Sequence, residues 1–360
     1  MKLFVSCGET SGDKILSKVL LELRNFEPNI QFFGLGGRFC QKAGVNMILE
    51  TNSDNFGQFG LLGLKTLFQH YRLLQNSVKW LERNRPTGVI LCDYAEFNYN
   101  LAKRAYRLGL PVYWISPPQV WAWRSYRLQK LKKILAGGAL VLPFEENLWN
   151  DINRFRFWGN PLGYLASFYK YTPEEKKIAF FPGSRLGELK KISPILNSLA
   201  HKLVRNDPEL KMVVANVFNE DLLFEYLDPD LFRVENDSLN LLSTSRFAIL
   251  KSGSSTIEAT VIGVPFIVIY KVSKLTELVA RAVLNIRNVA LPNILSEKTV
   301  REFLQDECNS EKIYSYLLGA EFDKLSIQAK LQDVKSRLLL PCCNPFTEIA
   351  RHILKVFDVS

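Results

Sequence analysis

Residues 250–271, LKSGSSTIEATVIGVPFIVIYK, read as a strand, a small-residue loop, a helix and a second strand. Ser252, Gly253, Ser254 and Ser255 place no bulk at the head of that helix, so backbone N–H groups can approach an anion there while the helix dipole favours negative charge. Glu258 follows one turn later. Ser255-x-x-Glu258 also fits a capping box, in which the carboxylate returns to the backbone of its own helix, and from this stretch alone the two readings stand level.

Upstream, a strand-helix alternation begins at residue 177 and leads into this loop, the pattern of an α/β unit with a parallel sheet. Residues 178–181 are a strand, and Pro182-Gly183-Ser184-Arg185 turns into a helix that runs to about Arg205. Arg185, on a Gly-Ser turn after a strand, is well placed to hold a diphosphate with both arms of its guanidinium. Further elements fall at 211–217, 220–226, 232–235 and 247–250. Asp228-Pro229-Asp230 could suggest a metal-holding carboxylate pair, but it follows no buried strand and reads as a turn. Downstream, 275–284 is helical, VALPN (289–293) is an extended segment ending in the amide of Asn293, and the rest is helical to a last helix at 345–357.

The first half shows the same alternation. Residues 3–7 are a strand, and Gly8-Glu9-Thr10-Ser11-Gly12-Asp13 turns into a helix at the carboxyl end of that strand, where open α/β sheets bind ligands. The loop lacks the GxGxxG spacing of a dinucleotide site, and an ordinary helix start would also explain it. Residues 30–34 are a second strand, followed by an irregular part to residue 55. Phe56, Phe59, Leu61, Leu62, Leu64, Leu67 and Phe68 then crowd a Gly-punctuated segment flanked by basic residues. Such a segment can lie in a membrane interface or wall an acyl-chain cleft, and packing against the next helix explains it equally well. Residues 88–93 are a buried strand ending in Asp93. Residues 111–116 lead into Pro117-Pro118-Gln119-Val120-Trp121-Ala122-Trp123-Arg124, a stiff aromatic loop, after which Arg124, Arg127, Lys130, Lys132 and Lys133 load one helix with charge. Near an anionic leaflet each of these could add about 1 kcal/mol, although a solvated helix face gives the same pattern. Residues 162–177 read as a linker.

A chain of 360 residues exceeds the size at which one core keeps growing, and its 47% hydrophobic content supports two. The net charge of +10 points to an anionic partner: nucleic acid, a phosphorylated substrate or an acidic membrane surface. Six cysteines without CxxC spacing and three scattered histidines argue against a zinc site and suit a reducing cytoplasm. The apolar run at the start is too short for a signal peptide. The longest, 259–270, falls short of the roughly 20 residues a spanning helix needs, so membrane contact is expected to be peripheral.

Together, GETSGD (8–13), VWAWR (120–124), PGSR (182–185), the 252–258 segment and LPN (291–293) resemble the lipid-A-disaccharide synthase family, in the family's order and over nearly the whole chain. The resemblance implies an α/β, GT-B fold: two Rossmann-like domains with parallel sheets facing across a cleft, at 1–165 and 166–340, and a C-terminal helix within 341–360 crossing back to the first. It implies an inverting transfer of 2,3-diacylglucosamine from UDP to the 6-hydroxyl of 2,3-diacylglucosamine 1-phosphate, without metal or cofactor, by a protein peripheral on the cytoplasmic face of the inner membrane. Asp93 matches the family's essential aspartate and would be the base. Gly183, Ser184, Arg185, Ser252, Gly253, Ser254, Ser255, Glu258 and Asn293 would bind the UDP-sugar. Glu9, Ser11, Trp121 and Arg124 would lie on the acceptor side, while 56–68, Arg127 and Lys130 would meet acyl chains and an anionic lipid surface.

The chain departs from the family in carrying Asp93-Tyr94-Ala95-Glu96-Phe97-Asn98 for Asp-Ala-Pro-Asp-Phe-Asn, and Gly159-Asn160-Pro161 for Gly-His-Pro. Lys65 lies near where the family often has Glu. Within enzymes the alternative is another GT-B UDP-sugar enzyme, a peptidoglycan-type N-acetylglucosaminyltransferase or a UDP-sugar 2-epimerase. A nucleic-acid module would need basic and aromatic residues alternating on one exposed face, which this chain does not show. A homodimer is left open.

Overall fold

The computed structural model describes residues 1–48, 64–122, 124–216, 218–272 and 288–358, and within 64–67 the backbone alone. Phe56, Phe59, Leu61 and Leu62, the side chains of Leu64 and Leu67, and the helix expected at 275–284 therefore lie outside the described residues. The chain forms two compact units, one of residues 1–161 with 339–360 and one of residues 162–338.

The first unit is built from β1 (Lys2–Ser6), α1 (Thr10–Phe26), β2 (Gln31–Leu35), α2 (Arg38–Lys42), β3 (Val45–Met47), α3 (Leu64–Asn84), β4 (Gly88–Cys92), α4 (Ala95–Arg107), β5 (Val112–Ile115), α5 (Leu128–Ile134), β6 (Gly137–Leu140), α6 (Glu145–Trp149) and β7 (Phe155–Phe157). Its strands are parallel in the order β3-β2-β1-β4-β5-β6-β7. The central strands are unbroken apolar runs because helices cover both faces: all five residues of β4 are buried, as are four of the five of β1. The chain order reverses between β1 and β4, so the loops after these two strands open the crevice where doubly wound sheets bind ligands.

The second unit repeats the plan after α7 (Pro161–Ala166). It contains β8 (Glu174–Phe181), α8 (Leu186–Asn206), β9 (Lys211–Ala215), α9 (Glu220–Phe224), β10 (Phe232–Glu235), α10 (Ser238–Thr244), β11 (Ser245–Lys251), α11 (Ser255–Ile262), β12 (Phe266–Tyr270), α12 (Leu291–Leu295), β13 (Glu302–Leu304), α13 (Ser310–Leu318) and α14 (Lys324–Leu338). The order β10-β9-β8-β11-β12-β13 puts its reversal between β8 and β11. The chain then returns to the first unit as α15 (Pro345–Val356), which packs along α1.

Several elements differ from the expectation. The irregular stretch after β2 holds α2 and β3, the latter a short edge strand with one of its three residues buried, too brief to register as a pattern. The polar run 174–177, expected in the linker, begins β8: Glu174 pairs with Ser245 and Lys177 with Lys211, and backbone pairing needs no apolar side chain. VALPN ends in the short helix α12, whose early Pro292 suits a helix start. The helical tail is interrupted by the edge strand β13.

Candidate active site

Asp93 stands at the carboxyl end of β4, at the first unit's reversal point, in a left-handed backbone conformation (φ 46°), as does Tyr94 (φ 51°). Two such residues in succession are costly without support, and the buried Asn98 supplies it. Its amide donates to the carbonyls of Cys92 (3.2 Å) and Asp93 (2.9 Å), while its oxygen accepts from the Ser6 hydroxyl at 2.7 Å. The Asp93 carboxyl holds hydrogen bonds to Ser116 and Ser11, which lower its pKa, but burial and then the Glu9 carboxylate push it up to about 7. A carboxyl poised there is available as a base near neutrality. Glu9 and Ser11, expected on the acceptor side, are thus brought to Asp93. Sequence reasoning missed Ser116, the residue after β5; the signal was its place at the sheet edge next to β4.

Asp13 serves the framework. It is 2% exposed and accepts from the backbone N–H groups of Gly37 (2.9 Å), Phe39 (2.9 Å) and Cys40 (3.0 Å), so it caps α2. Cys7 and Cys40 lie beside it with sulfurs 3.9 Å apart. Burial pushes the Cys7 thiol up, while the hydrogen bond that the Cys40 thiol gives to Cys7, together with burial, does so for Cys40. Two protonated thiols and a carboxylate already engaged by amides suit a packed core better than a metal.

In the aromatic loop, the Trp121 indole donates to Glu145 Oε1 at 3.1 Å, and Glu145 Oε2 accepts from the backbone of Val141 and Leu142. The polar edge of Trp121, expected on the acceptor side, is thus bonded to the framework. Arg124 and Arg127 both bond Glu96 in the first turn of α4. Residues 125–127 form a single 3-10 turn before α5, so the basic run is split between two elements. Lys130 is exposed, as are Phe68 (65%) and Tyr71 (59%) on α3. Asn160 is buried and donates to the Val141 carbonyl at 3.0 Å.

In the second unit the loops after β8 and β11 flank the reversal point. Gly183 has φ 104°, a left-handed conformation that favours glycine, and a Cβ there would also push on the Glu188 carboxylate, whose Oε2 would stand 2.4 Å away. Glu188 lies 4.0 Å from Arg185 and 2.7 Å from Lys251 Nζ. Lys251 also sits 5.6 Å from the Tyr270 ring centre. Glu188 and Lys251 escaped sequence reasoning, although each is a charged residue close to a switch-point loop. Ser184, Gly253 and Ser254 are exposed. Ser254 is the N-cap of α11, with no side-chain capping bond among the described residues. Ser255 is thus the first helical residue, and the capping box centred on it is not the arrangement found. The Ser252 hydroxyl donates to the Val289 carbonyl at 2.6 Å. Glu258 is 8% exposed.

Asn293 is placed differently from the expectation. Its amide donates to Val300 O (2.9 Å) and Glu302 Oε1 (2.7 Å), its oxygen accepts from Val300 N (2.9 Å), and Glu302 holds the backbone of Val289 and Ala290. This network shapes the segment that receives the Ser252 hydroxyl. Asp228 and Asp230 form the expected turn, Asp230 N donating to Asp228 Oδ1 at 3.0 Å.

Two doubly wound parallel units, with a final helix returned to the first, define the GT-B class of nucleotide-sugar enzymes. Solved structures agree on that fold. A UDP-GlcNAc 2-epimerase from Neisseria meningitidis bound to UDP-GlcNAc superposes with a TM-score of 0.62 at 13% identity over 100% of both chains. MurG of Acinetobacter baumannii does so with a TM-score of 0.56 at 12% identity, over 100% of this chain and 99% of that one. In sequence, the family model described as lipid-A-disaccharide synthetase matches residues 3–340. A lipid-A-disaccharide synthase of Nitrosococcus oceani is 29% identical over 358 residues, 93% of this chain and 91% of that protein. The chain belongs to the lipid-A-disaccharide synthetase family. It is a glycosyltransferase that joins UDP-2,3-diacylglucosamine to 2,3-diacylglucosamine 1-phosphate, giving the β-1,6 disaccharide 1-phosphate and UDP.

Proposed function

We propose that Asp93 is the general base of this transfer. Inversion requires one group to take the acceptor proton as the 6-hydroxyl attacks the anomeric carbon, and a well-placed base contributes about 10²- to 10⁴-fold. The observation that carries the reading is the Asp93 carboxyl at the β1/β4 reversal, poised near 7 and held by Ser11 and Ser116. Glu9 and Ser11 line the acceptor side. On the donor side, Arg185 and the backbone N–H groups around Ser254 and Ser255 take up the charge of the departing UDP, and Glu258 accepts from the ribose hydroxyls. Gly183 and Ser184 shape the turn that presents Arg185, and Gly253 keeps the approach to α11 open. Ser252 and Asn293 act one step back, by holding the 288–293 segment.

We further propose peripheral association with an anionic inner-membrane surface through exposed Phe68 and Tyr71 and the basic α5 region. No helix among the described residues is long and apolar enough to cross a membrane. The decisive experiment incubates the protein with UDP-2,3-diacylglucosamine and 2,3-diacylglucosamine 1-phosphate and identifies the lipid product by mass spectrometry. Disaccharide formation that persists at the wild-type rate in Asp93→Asn would remove Asp93 as base.

A further inference from the structure

The Tyr94 side chain is built into the same turn as Asp93. A Cβ on Gly8 would stand 2.3, 2.4 and 2.6 Å from Cγ, Cδ1 and Cδ2 of the Tyr94 ring, so the ring fills the space a side chain at position 8 would need. The ring is stacked on Phe97 in the first turn of α4, with centres 4.8 Å apart and planes 15° from parallel. Its hydroxyl lies 2.9 Å from Nε2 of His70, and the His70 ring meets Tyr94 and Phe97 edge on, at 5.8 and 6.4 Å between centres. One phenol is therefore held by three elements: the loop into α1, the start of α4, and α3.

This brace reaches a part of the loop that the Asn98 side chain does not hold. The Asn98 amide fixes the carbonyls of Cys92 and Asp93, on the strand side of the turn. The residue after them is also left-handed, at φ 51°, and such a conformation persists in a non-glycine residue only when its surroundings enforce it. Ala95, where the family pattern has proline, brings no fixed φ of its own to the turn. The Tyr94 ring, wedged on Gly8 and tied to His70, supplies the enforcement. Burial and then the Glu9 carboxylate push the Tyr94 phenol above its ordinary range, and burial lowers the pKa of His70. Both partners are therefore uncharged near neutrality, and the bond between them holds without a charge.

We propose that Tyr94, tied to His70, is a positioning residue for Asp93: it fixes the left-handed turn at 93–94 and with it the aim of the carboxyl. The proposal rests on Asp93 taking the proton of the acceptor's 6-hydroxyl. Asp93 and Tyr94 share one peptide, so a swing of the ring turns the backbone that carries the base. The carboxyl must stay within reach of Ser11 and Ser116. Misplacing a reacting group by about 1 Å can cost on the order of 10²-fold in rate. A residue that acts in this way touches neither substrate, so its loss falls on kcat and leaves both KM values in place.

The test measures kcat, both KM values and thermal melts for the wild type, Tyr94→Ala, Tyr94→Phe, His70→Leu and His70→Gln, each alone and each combined with Asp93→Asn. Tyr94→Ala, which removes the wedge, should lower kcat by about 10- to 10²-fold with donor and acceptor KM within about twofold of the wild type. Tyr94→Phe and His70→Leu each remove one end of the same bond, so each should lower kcat by about three- to tenfold. Combining those two should lower it no further than either alone. His70→Gln, which can still pair with the phenol, should recover part of the loss. Where Asp93→Asn has left no base to aim, each of these changes should cost less than about twofold more. If Tyr94→Ala does not fold, the Tyr94→Phe and His70 variants decide the question by the same comparison. Wild-type kcat in the folded variants, a loss carried by acceptor KM, or an equal loss in the Asp93→Asn background would overturn the proposal. Wild-type turnover in Asp93→Asn by itself would instead remove the base, and the role of Tyr94 with it.

Discussion

Asp93 Oδ2 lies 2.9 Å from the point where a Cβ on Gly12 would stand. The third residue of α1 is thus glycine because the carboxyl at the end of β4 occupies the space a side chain would need. Gly12→Ala should leave α1 intact, since alanine is the better helix former by about 1 kcal/mol. The added methyl must displace the carboxyl, and misplacing a reacting group by about 1 Å can cost 10²-fold. A thermal melt and kcat measured together check this: a folded variant with about 10²-fold lower turnover is expected, and wild-type turnover would show that Asp93 tolerates the shift.

The pKa of Asp93 predicts opposite effects on rate and stability. A base must be ionised, so kcat/KM should rise with pH through about 7 and level off above it. Folding goes the other way. Between the ordinary carboxyl range near 4 and about 7 the folded state holds a proton that the unfolded chain has released, so this group's stabilising contribution is present at low pH and lost as pH rises through 7. Asp93→Asn should abolish the rate inflection, lower turnover by 10²-fold or more, and be more stable than the wild type at pH 8 by on the order of 1–3 kcal/mol, with little difference at pH 4. Urea melts at the two pH values measure it. A stability gap that does not depend on pH would mean the carboxyl is not held in its neutral form.

The parts of this arrangement visible in the sequence are those that local chemistry dictates. Unbroken apolar runs such as 88–92 marked the central strands, and small residues after them marked the loops of the two reversal points. Relationships between distant side chains left no such trace. Nothing local to Trp121 says that its indole will be claimed by Glu145, 24 positions on. Asn293 reads as a polar end to an extended segment until Val300 and Glu302 fold back onto it. Lys251 reads as the end of a strand, and its partner Glu188 belongs to a helix starting 65 residues earlier.

That Lys251–Glu188 pair predicts a non-additive effect on donor binding. Its two side chains are 16% and 17% exposed, and Glu188 also faces Arg185. Lys251→Met leaves a half-buried negative charge where the diphosphate is proposed to bind, and should raise donor KM by about tenfold. Glu188→Gln should have a smaller effect. The double variant should recover most of the loss, because the repelling charge is gone. Donor KM values for the four proteins complete the cycle, and additive losses would show that Lys251 acts independently of Glu188.

Glu258 separates cap from ligand more cleanly than its sequence context suggested. Because α11 begins with Ser254 as N-cap, Glu258 is one position too deep to close a capping box with it. On the proposed contact with the ribose, Glu258→Gln should raise donor KM by about tenfold, the cost of a hydrogen bond to a charged group, with kcat little changed. A drop in melting temperature with an unaltered donor KM would assign the carboxylate to the framework.

The helix that returns to the first unit is anchored by a neutral histidine, and this makes the anchor sensitive to acid. His352 Nε2 lies 2.9 Å from the Asn153 carbonyl, which can accept but not donate, so Nε2 carries the proton. Nδ1 is then the acceptor for the Tyr113 hydroxyl at 2.9 Å. Burial, reinforced by the charges of Lys355 and Arg156, lowers the pKa of His352 against the opposing bond to Asn153. The folded state thus binds fewer protons than the unfolded chain just below the ordinary histidine value. The stability due to this group is present above about 6.5 and is lost as pH falls through the lower folded value. His352→Leu leaves the buried Tyr113 hydroxyl without this partner and should cost about 1–3 kcal/mol at pH 8. Below pH 6.5 the difference should shrink, because the wild type progressively loses what the histidine contributes as pH falls. Urea melts of both proteins at pH 8 and pH 5 measure the two gaps, and a gap as large at pH 5 as at pH 8 would show that protonation leaves the anchor of α15 intact.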